Sequence, residues 1–466
     1  MKTVIRREFL DHVRSLQFMT LLMLAMVLFV ASSLIFVASN AQKTETYQKK
    51  IGMLQQEKST IIAMLPRRPN PLQFIADGGD RDKPSDYMLL PKGTMWAGEP
   101  NRRTFKLPVV PPLDWSFIIG ALFSLYVILL GYNAISGERE DGTLRLVLSN
   151  PVGRARLLTA KYLSIIFAVV APLLAGALTS LIIIGILAPQ ILTFSTISRI
   201  GLVLVISLAY ISLFAFLSLL FSAMIPRSSI ALLMLLTVWV LFVVIIPCTS
   251  LVLMEKLSSA PREIQTARML QPMLEKEFSA VLEEIDKKAK RGEFKTEEEV
   301  RTAADKTFED SQDKINQFFE EFDRNQQQRA RTAQNLSRLS PSALFKYATE
   351  SLIQSGTLGE DTFLQQLRDY SKAFDAYILK KLGKVVRSSE FMFEGAVTFN
   401  GKMLSIRSPE PQEYRGDKSD FPLFVERQLS LGAGLRSALL DMAGLLIWNI
   451  LLAGLAFSAF IRADVR

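Results

Sequence analysis

Side chains able to do acid–base, nucleophilic or metal chemistry are scarce in this 466-residue chain, which contains one His and one Cys. A His/Cys zinc site or a disulfide framework needs several such residues, and a Ser-His-Asp or Cys-His site needs a well-placed His. The carboxylates are numerous, but no spacing among them indicates a paired acid and base. The sequence therefore predicts neither a self-contained enzyme nor a metal or cofactor site on this chain.

The spacing that does indicate chemistry lies between residues 137 and 161, and the chemistry is protein docking. The stretch reads Gly-Glu-Arg-Glu-Asp-Gly-Thr-Leu-Arg-Leu-Val-Leu-Ser-Asn-Pro-Val-Gly-Arg-Ala-Arg-Leu-Leu-Thr-Ala-Lys. Asp141 to Thr143 can begin a short helix, three leucines supply apolar surface, and Pro151 ends it. Such a charged helix can dock into a partner's groove. The alternative interpretation is a plain loop at the membrane surface.

Six apolar segments must position that stretch. A bilayer core of about 30 Å needs roughly 20 apolar residues in a helix. The segments that meet this requirement are residues 18–39, 115–135, 163–188, 200–224, 230–254 and 435–460. The sequence therefore predicts an α-helical membrane protein with six transmembrane helices, here numbered spans one to six.

The distribution of Lys and Arg predicts the orientation of the spans. Residues 1–17, 136–162, 225–229 and 461–466 together carry 12 Lys or Arg against six acidic residues, whereas the short loop 189–198 carries no charge. Loops rich in Lys and Arg stay in the cytoplasm. We therefore expect cytoplasmic N and C termini, an interfacial helix over residues 1–17, a cytoplasmic tail over residues 461–466, and a multi-pass location in the cytoplasmic (inner) membrane. The net charge of +9 thus indicates topology rather than a nucleic-acid partner.

Two long segments, residues 40–114 and 255–433, are then extracytoplasmic. The first is expected to continue the helix of span one to about Met64 and then to be extended, with a turn at residues 77–80. The second is predicted to be a mainly helical domain with a small β element. It contains two helices joined by a break at residues 291–295, a capping box of Thr296 with Glu299, a helix opened by Ser340-Pro341, a helix over about 360–382, and a hairpin around Asn400-Gly401.

Residues 137–161 resemble the signature of type-2 ABC exporter permeases, in which Gly-Glu-(Arg/Lys)-Glu-x-Gly-Thr-Leu, then Pro, Arg and Lys, follow the second span. In that family the segment forms the coupling helix that receives the ATPase subunit. A second likeness, in residues 339–343 and 363–370, is to a subgroup with a large domain before the last span, within a group that includes the permease of copper-enzyme maturation. Neither likeness carries a substrate.

The resemblance implies partners, because the chain has no Gly-x-x-x-x-Gly-Lys-Ser/Thr phosphate loop. ATP and Mg would be bound by two copies of a separate ABC ATPase, and two permease chains would pair, as a homodimer, around a pathway. Glu138 and Glu140 are expected to pair with basic groups of the ATPase, and Thr143, Leu144 and Leu148 to form the docking surface. The full set assigned to ATPase coupling is Glu138, Glu140, Gly142, Thr143, Leu144, Leu148, Pro151, Arg154 and Lys161.

Polar side chains within the spans are candidates for a substrate pathway, because ionisable and polar groups are expensive in the bilayer. They are Tyr126, Tyr132, Asn133, Asp441 and Asn449; Asp441 is interpreted as an outer-interface charge near Arg436. The predicted function is ATP-dependent export of an unidentified substrate. The alternative is a mechanotransmitting permease whose outer domains act on a periplasmic partner without moving a substrate. A receptor or scaffold without ATP coupling is disfavoured, because it needs no coupling helix.

Overall fold

A computed structural model gives the three-dimensional arrangement of this chain. It describes residues 10, 14–56, 63–80, 83–89, 95–97, 112–149, 153–249, 276, 279–382, 395–399, 402–406, 422 and 424–462. The predicted interfacial helix over residues 1–17 and the tail over residues 461–466 lie largely outside this part of the chain.

Six helices in the described residues are long and apolar enough to cross a membrane, which confirms the predicted number of spans. They are Leu16–Met53, Trp115–Glu140, Arg154–Leu187, Phe194–Met224, Ser228–Thr249 and Leu431–Arg462. Most extend beyond the predicted apolar cores, because a helix continues into the polar layers on either side of the hydrocarbon. Helix α1 runs over Leu16–Gln56, and Met64 lies in a strand, so the expected continuation of α1 to Met64 was wrong.

Span two is the most interrupted of these helices. It consists of α2 (Trp115–Phe117), a π-helix (Ile118–Phe123) and α3 (Ser124–Gly131), followed by a turn and a short helix, α4 (Ser136–Glu140). A π-helix disturbs the regular backbone ladder. The carbonyl of Gly120 within it accepts hydrogen bonds from the Tyr210 hydroxyl, at 2.7 Å, and from the Ser124 hydroxyl, at 2.6 Å.

The remaining span helices follow in order. Helix α5 (Thr143–Ser149) precedes α6 (Arg154–Leu187), which leads through a short 3₁₀ turn to α7 (Phe194–Met224). Helix α8 (Ser228–Val240) continues into a second π-helix (Leu241–Ile245), and α13 (Leu431–Arg462) is the last span. Small residues allow close helix approach: a Cβ on Gly176 would lie 2.5 Å from the Phe29 ring.

The two ends of the bundle are distinguished by their contacts. At one end, here the loop end, the N-terminus of α6 meets the C-terminus of α13, where Arg154 donates to the Ile461 carbonyl at 2.6 Å. At the other, the domain end, the Trp115 amide donates to the Phe74 carbonyl at 3.0 Å. Successive spans alternate in direction between these ends, so the described parts of segments 40–114 and 255–433 lie together at the domain end.

The segment after α1 contains a small sheet that the sequence analysis missed. Strands β1 (Ala63–Pro66), β2 (Asp86–Leu89) and β3 (Met95–Ala97) pair antiparallel in the order β1-β2-β3. The turn expected at residues 77–80 is present: the Asp80 amide donates to the Asp77 carbonyl at 3.0 Å. Both central residues, Gly78 and Gly79, have positive φ (57° and 77°), which glycine adopts without strain.

The large domain contains the predicted helical hairpin. Helix α9 (279–290) and α10 (Glu297–Ser337) are joined around Gly292, whose φ is +73°. Strands β4 (Gly395–Phe399) and β5 (Lys402–Ile406) pair antiparallel, as predicted for the Asn-Gly connection. The hairpin and β4 share one hydrophobic cluster, formed by Val281, Ile285, Val300, Ala304, Val397 and Phe399.

Two features of the domain refine its prediction. The Thr296 hydroxyl caps α10 by accepting from the Glu299 amide at 3.2 Å, but the Glu299 carboxylate accepts from the Lys295 amide rather than from that of Thr296. Only one of the two hydrogen bonds of the expected capping box is therefore formed. Helix α12 (Gly356–Leu382) begins slightly before the predicted residue 360, and it packs on the β1-β2-β3 sheet through Phe363, Leu367 and Phe374.

Helix α11 (Pro341–Ile353) begins at Ser340-Pro341 as predicted, but its position was not foreseen. Five of its apolar residues belong to the same hydrophobic core as the spans: Leu344, Phe345, Ala348, Leu352 and Ile353. The Phe345 ring stacks on Tyr210 of α7 with centroids 4.6 Å apart. The large domain therefore inserts one helix into the domain end of the bundle.

Candidate coupling segment and intramembrane polar residues

The predicted coupling segment is attached to span four at the loop end. The Ser222 hydroxyl of α7 accepts from the backbone amides of Ile135 and Ser136, at 2.9 and 3.0 Å. Arg139 donates to the Ala223 carbonyl at 3.3 Å. Helix α4 is thus held against the end of α7.

Glu138 forms an ion pair within the chain. Its Oε1 lies 2.6 Å from Nζ of Lys161 on α6, and Lys161 is only 2% exposed. A buried ammonium of this kind is stable only with a paired carboxylate. In this structure the Glu138 carboxylate therefore links α4 to span three, and its pairing with the ATPase stays a prediction.

Glu140 likewise contacts the chain itself. Its carboxylate accepts from the Ser228 amide at 3.0 Å and from the Ser228 hydroxyl. Ser228 is the first residue of α8, whose initial amides have no partner within the helix, so a carboxylate there caps it and complements its dipole. Glu140 thus links α4 to span five, and its pairing with basic groups of the ATPase stays a prediction.

A turn at Asp141-Gly142 separates α4 from α5. Gly142 has a φ of +69°, in the left-handed region that favours glycine. The Thr143 hydroxyl donates to the Glu138 carbonyl at 3.2 Å across this turn. The two short helices are thus arranged in succession, with α5 reached only through Gly142.

The leucines of α5 divide between two faces. Leu144 is 1% exposed and Leu148 is half-buried, and both pack against the hydrophobic core of the bundle, whereas Leu146 is 69% exposed. The assignment of Leu144 to a docking surface was wrong, because its side chain faces inward. The sequence held the signal: residues four apart share a helix face and residues two apart do not.

Two members of the predicted coupling set remain. Pro151 lies outside the described residues. Arg154 begins α6 and contacts the end of span six, so it connects the segment to the last span. Docking of an ATPase on this segment stays a prediction, with Leu146 as the apolar side chain that it presents.

The pathway candidates in span two differ in burial and in position along the span. Tyr126 is 6% exposed, and its hydroxyl has no hydrogen-bond partner in the described part of the chain. Tyr132 is half-buried and Asn133 is exposed, and both follow the end of α3 at the loop end. Of the three, only Tyr126 lies within the helical part of the span.

The candidates in span six are engaged in packing contacts. The Asn449 amide donates to the Ala209 carbonyl of α7 at 2.9 Å, which holds spans four and six together. Asp441 is 1% exposed and accepts from Arg338 Nε at 2.7 Å. Its partner thus comes from the large domain rather than from Arg436, which is exposed, and its position at the outer interface stays a prediction.

Further polar contacts to α11, which sequence reasoning missed, lie at the domain end. Arg199 of α7 is 4% exposed and donates to the carbonyls of Leu352 and Leu429. The hydroxyls of Ser340 and Ser342 both donate to the Phe242 carbonyl, in the second π-helix of span five. Helix α11 is therefore bonded to spans four and five, while Arg338, just before it, bonds to span six.

A family model described as "ABC-2 family transporter protein" matches residues 2–465. The chain is also similar to "Probable ABC transporter permease protein NosY" of Pseudomonas aeruginosa, with 39% identity over 79 residues. That match covers 16% of this chain and 29% of the relative, so the chain spans less than a third of the length of the relative it matches.

Proposed function

The chain belongs to the ABC-2 family of transporter proteins, and we propose on this basis that it is a permease subunit that works with a separate ABC ATPase to export a substrate. The observation that supports this role is the loop-end segment, residues 136–161. Through Glu138, Glu140 and Arg154 it contacts spans three, five and six. A force applied to that segment would reach several spans at once.

The division of labour within the segment follows from burial. Leu146, 69% exposed on α5, is the side chain available to a partner's apolar groove. Glu138 and Glu140 are transmission residues, because their carboxylates hold α6 and α8. ATP can drive the spans between two packings only if the ATPase binds the two states with different affinity. A segment fixed to several spans gives the ATPase a means of distinguishing those states.

The remaining assembly follows the family. Two ATPase subunits would bind ATP and Mg, and a second copy of this chain would complete the pathway as a homodimer. The loop end would face the cytoplasm, as the Lys and Arg distribution indicates, and the domain end the periplasm. The subgroup with a large outer domain and the location in the cytoplasmic membrane are part of the same proposal.

The attachment of the large domain to the spans favours a second candidate function, mechanotransmission. Helix α10 is about 60 Å long at 1.5 Å per residue, and Arg338, directly after its last residue, pairs with Asp441 of span six. Movement of the spans would therefore be carried along α10 to its tip near Gly292. The domain would then act on a periplasmic partner, without a substrate passing through the bilayer.

The coupling proposal is tested by Leu146→Asp, measured in vesicles that contain the chain and its ATPase. We expect loss of ATPase binding and of ATP-driven transport, with unchanged folding, because the side chain is exposed. Leu339→Asp is the matched control, since Leu339 is 68% exposed at the opposite end. Full ATPase binding by the Leu146→Asp variant would contradict the docking assignment.

The distance between the large domain and the span bundle, measured with and without ATP, distinguishes mechanotransmission from export. Spin labels at Glu293, beside the tip of α10, and at the exposed Leu455 of α13 would report movement of the domain relative to the bundle. A distance change on ATP binding, with no solute or lipid moved, supports mechanotransmission. An unchanged distance during transport supports export alone.

A further inference from the structure

A polar cavity of about 280 Å³ lies where the large domain meets span six. Its walls come from α10, α11, the start of α12 and the first turns of α13. The lining residues that matter here are Arg331, Arg338, Glu350, Ser355, Asp361 and Ser437. The cavity is separate from the loop-end segment and takes no part in the proposed coupling.

Two buried polar groups on its wall lack suitable partners. The Ser355 hydroxyl is buried and makes no hydrogen bond to any described residue. Glu350 is 6% exposed, and its nearest cationic group in the described chain is Lys346, with Nζ 3.8 Å from the carboxylate, beyond hydrogen-bond distance. Buried polar groups are normally satisfied, so the Ser355 hydroxyl indicates a missing partner, whereas Glu350 has the ion pair with Lys346 but no close hydrogen-bond donor among the described residues. Burial also raises the pKa of Glu350.

Two positively charged side chains, Arg331 of α10 and Arg338 directly after it, also line the cavity. Arg338 is engaged with Asp441 and Asn335. Among the described residues, Arg331 makes one polar contact, from Nη2 to Asp361 at 3.2 Å, and its side chain is 66% exposed. Because a guanidinium has five N–H donors, Arg331 retains several for an anionic group. The cavity thus has a hydrogen-bond acceptor, the Glu350 carboxylate, on one side and hydrogen-bond donors, from the Arg331 guanidinium, on another.

The cavity lies at the level where span six becomes apolar. Ser437 lines it, and the following Leu439 and Leu440 of α13 are 55% and 61% exposed. In the proposed membrane topology these exposed leucines contact lipid tails, which puts Ser437 at the level of the headgroups of the adjoining leaflet. The volume is near the lower end of ligand sites, roughly 300 Å³, which suits a headgroup without its tails.

We propose that this cavity binds a zwitterion that carries a primary ammonium and a phosphate, as in a phosphatidylethanolamine headgroup. The ammonium donates to the Glu350 carboxylate and the Ser355 hydroxyl, and the phosphate accepts from Arg331. The same chemistry occurs in free phosphoethanolamine. The membrane-level position favours the lipid as the source.

The test is lipid binding by the full chain, purified and delipidated, measured by native mass spectrometry. Phosphatidylethanolamine is compared with phosphatidylcholine, which has no N–H donor, and with phosphatidylglycerol, which has no ammonium. Charge-assisted hydrogen bonds contribute roughly 1.5–3 kcal/mol each, so we expect the first lipid to bind at least about tenfold more tightly than the other two. Glu350→Gln should remove that preference, whereas Arg331→Gln should weaken the binding of all three lipids, because all three carry the phosphate.

Controls separate site loss from unfolding and distinguish the two sources. Arg301→Gln, on the same helix but outside the cavity, should retain the preference, and Ser355→Ala should weaken it with little effect on folding. Competition by free phosphoethanolamine, without retention of lipid, would support the same site with a soluble ligand. Equal retention of all three lipids with no competition, or an unchanged preference in the Glu350→Gln variant, would overturn the proposal.

Discussion

The ion pair between Arg338 and Asp441 gives the sharpest energetic prediction. It joins the end of α10 to span six, with Nε–Oδ1 and Nη2–Oδ2 distances of 2.7 and 3.3 Å. The two partners are unequally buried: the side chain of Asp441 is 1% exposed and that of Arg338 is 26% exposed. Removing one partner therefore should not cost the same as removing the other.

The expected magnitudes follow from what each substitution leaves behind. Arg338→Gln leaves a buried carboxylate without its counter-charge, which costs about 3–5 kcal/mol. Asp441→Asn leaves a guanidinium that still contacts Asn335 and is partly hydrated, so we expect about 1–2 kcal/mol. The double variant contains no unpaired charge, and it should be destabilised by at least about 2 kcal/mol less than the sum of the single changes.

The assay is equilibrium denaturation in mixed micelles for the wild type, both single variants and the double variant. Arg436→Gln is the matched control, because Arg436 is exposed on the same helix and should change the free energy of unfolding by less than about 0.5 kcal/mol. Additive single changes would refute this reasoning. A larger cost for Asp441→Asn than for Arg338→Gln would refute it too.

Three further predictions concern other positions. Burial raises the pKa of Asp114 to about 7, whereas the unfolded chain releases this proton near pH 3.8, so the free energy of unfolding falls as pH rises between these values. Asp114→Asn should flatten this pH dependence, which is at most about 1.4 kcal/mol per pH unit; equal pH dependence of thermal unfolding in the wild type and the variant would contradict the prediction. Glu140→Gln should destabilise α8 through loss of its charged cap, as measured by denaturation against the exposed control Asp141→Asn. Equal effects of the two substitutions would count against the cap. Gly131→Ala should lower the melting temperature, because the new Cβ would lie 2.5 Å from the Cβ of Ser218 and overpacking costs about 1–3 kcal/mol. An unchanged melting temperature would contradict this prediction and show that α3 and α7 can move apart.

The sequence predicted the elements whose signals are local. Six long apolar runs gave six span helices, Ser340-Pro341 marked the start of α11, and Asn400-Gly401 marked the β4-β5 hairpin. Each of these depends on composition or turn chemistry within a short window. Such signals do not depend on which distant residues pack against the element.

The features that the sequence could not predict depend on contacts distant in the chain. Arg338 and Asp441 are separated by 103 residues, so nothing local identifies them as a pair. The burial of α11 among the spans also depends on distant residues, including Tyr210 of α7. The inward direction of Glu138 likewise depends on Lys161 at the start of the next span. Leu146 is different, because helical periodicity alone separates it from Leu144.

The measurement that tests the central claim most directly is cross-linking from α5 to the ATPase. The native Cys248, exposed in the structure, is replaced by Ser, and a photoreactive cross-linker is attached to a cysteine introduced as Leu146→Cys. We predict cross-links to an ABC ATPase subunit that co-purifies with the chain, and no such cross-links from the matched Leu339→Cys variant. The absence of ATPase cross-links from position 146, in a complex that still hydrolyses ATP and transports, would contradict the account.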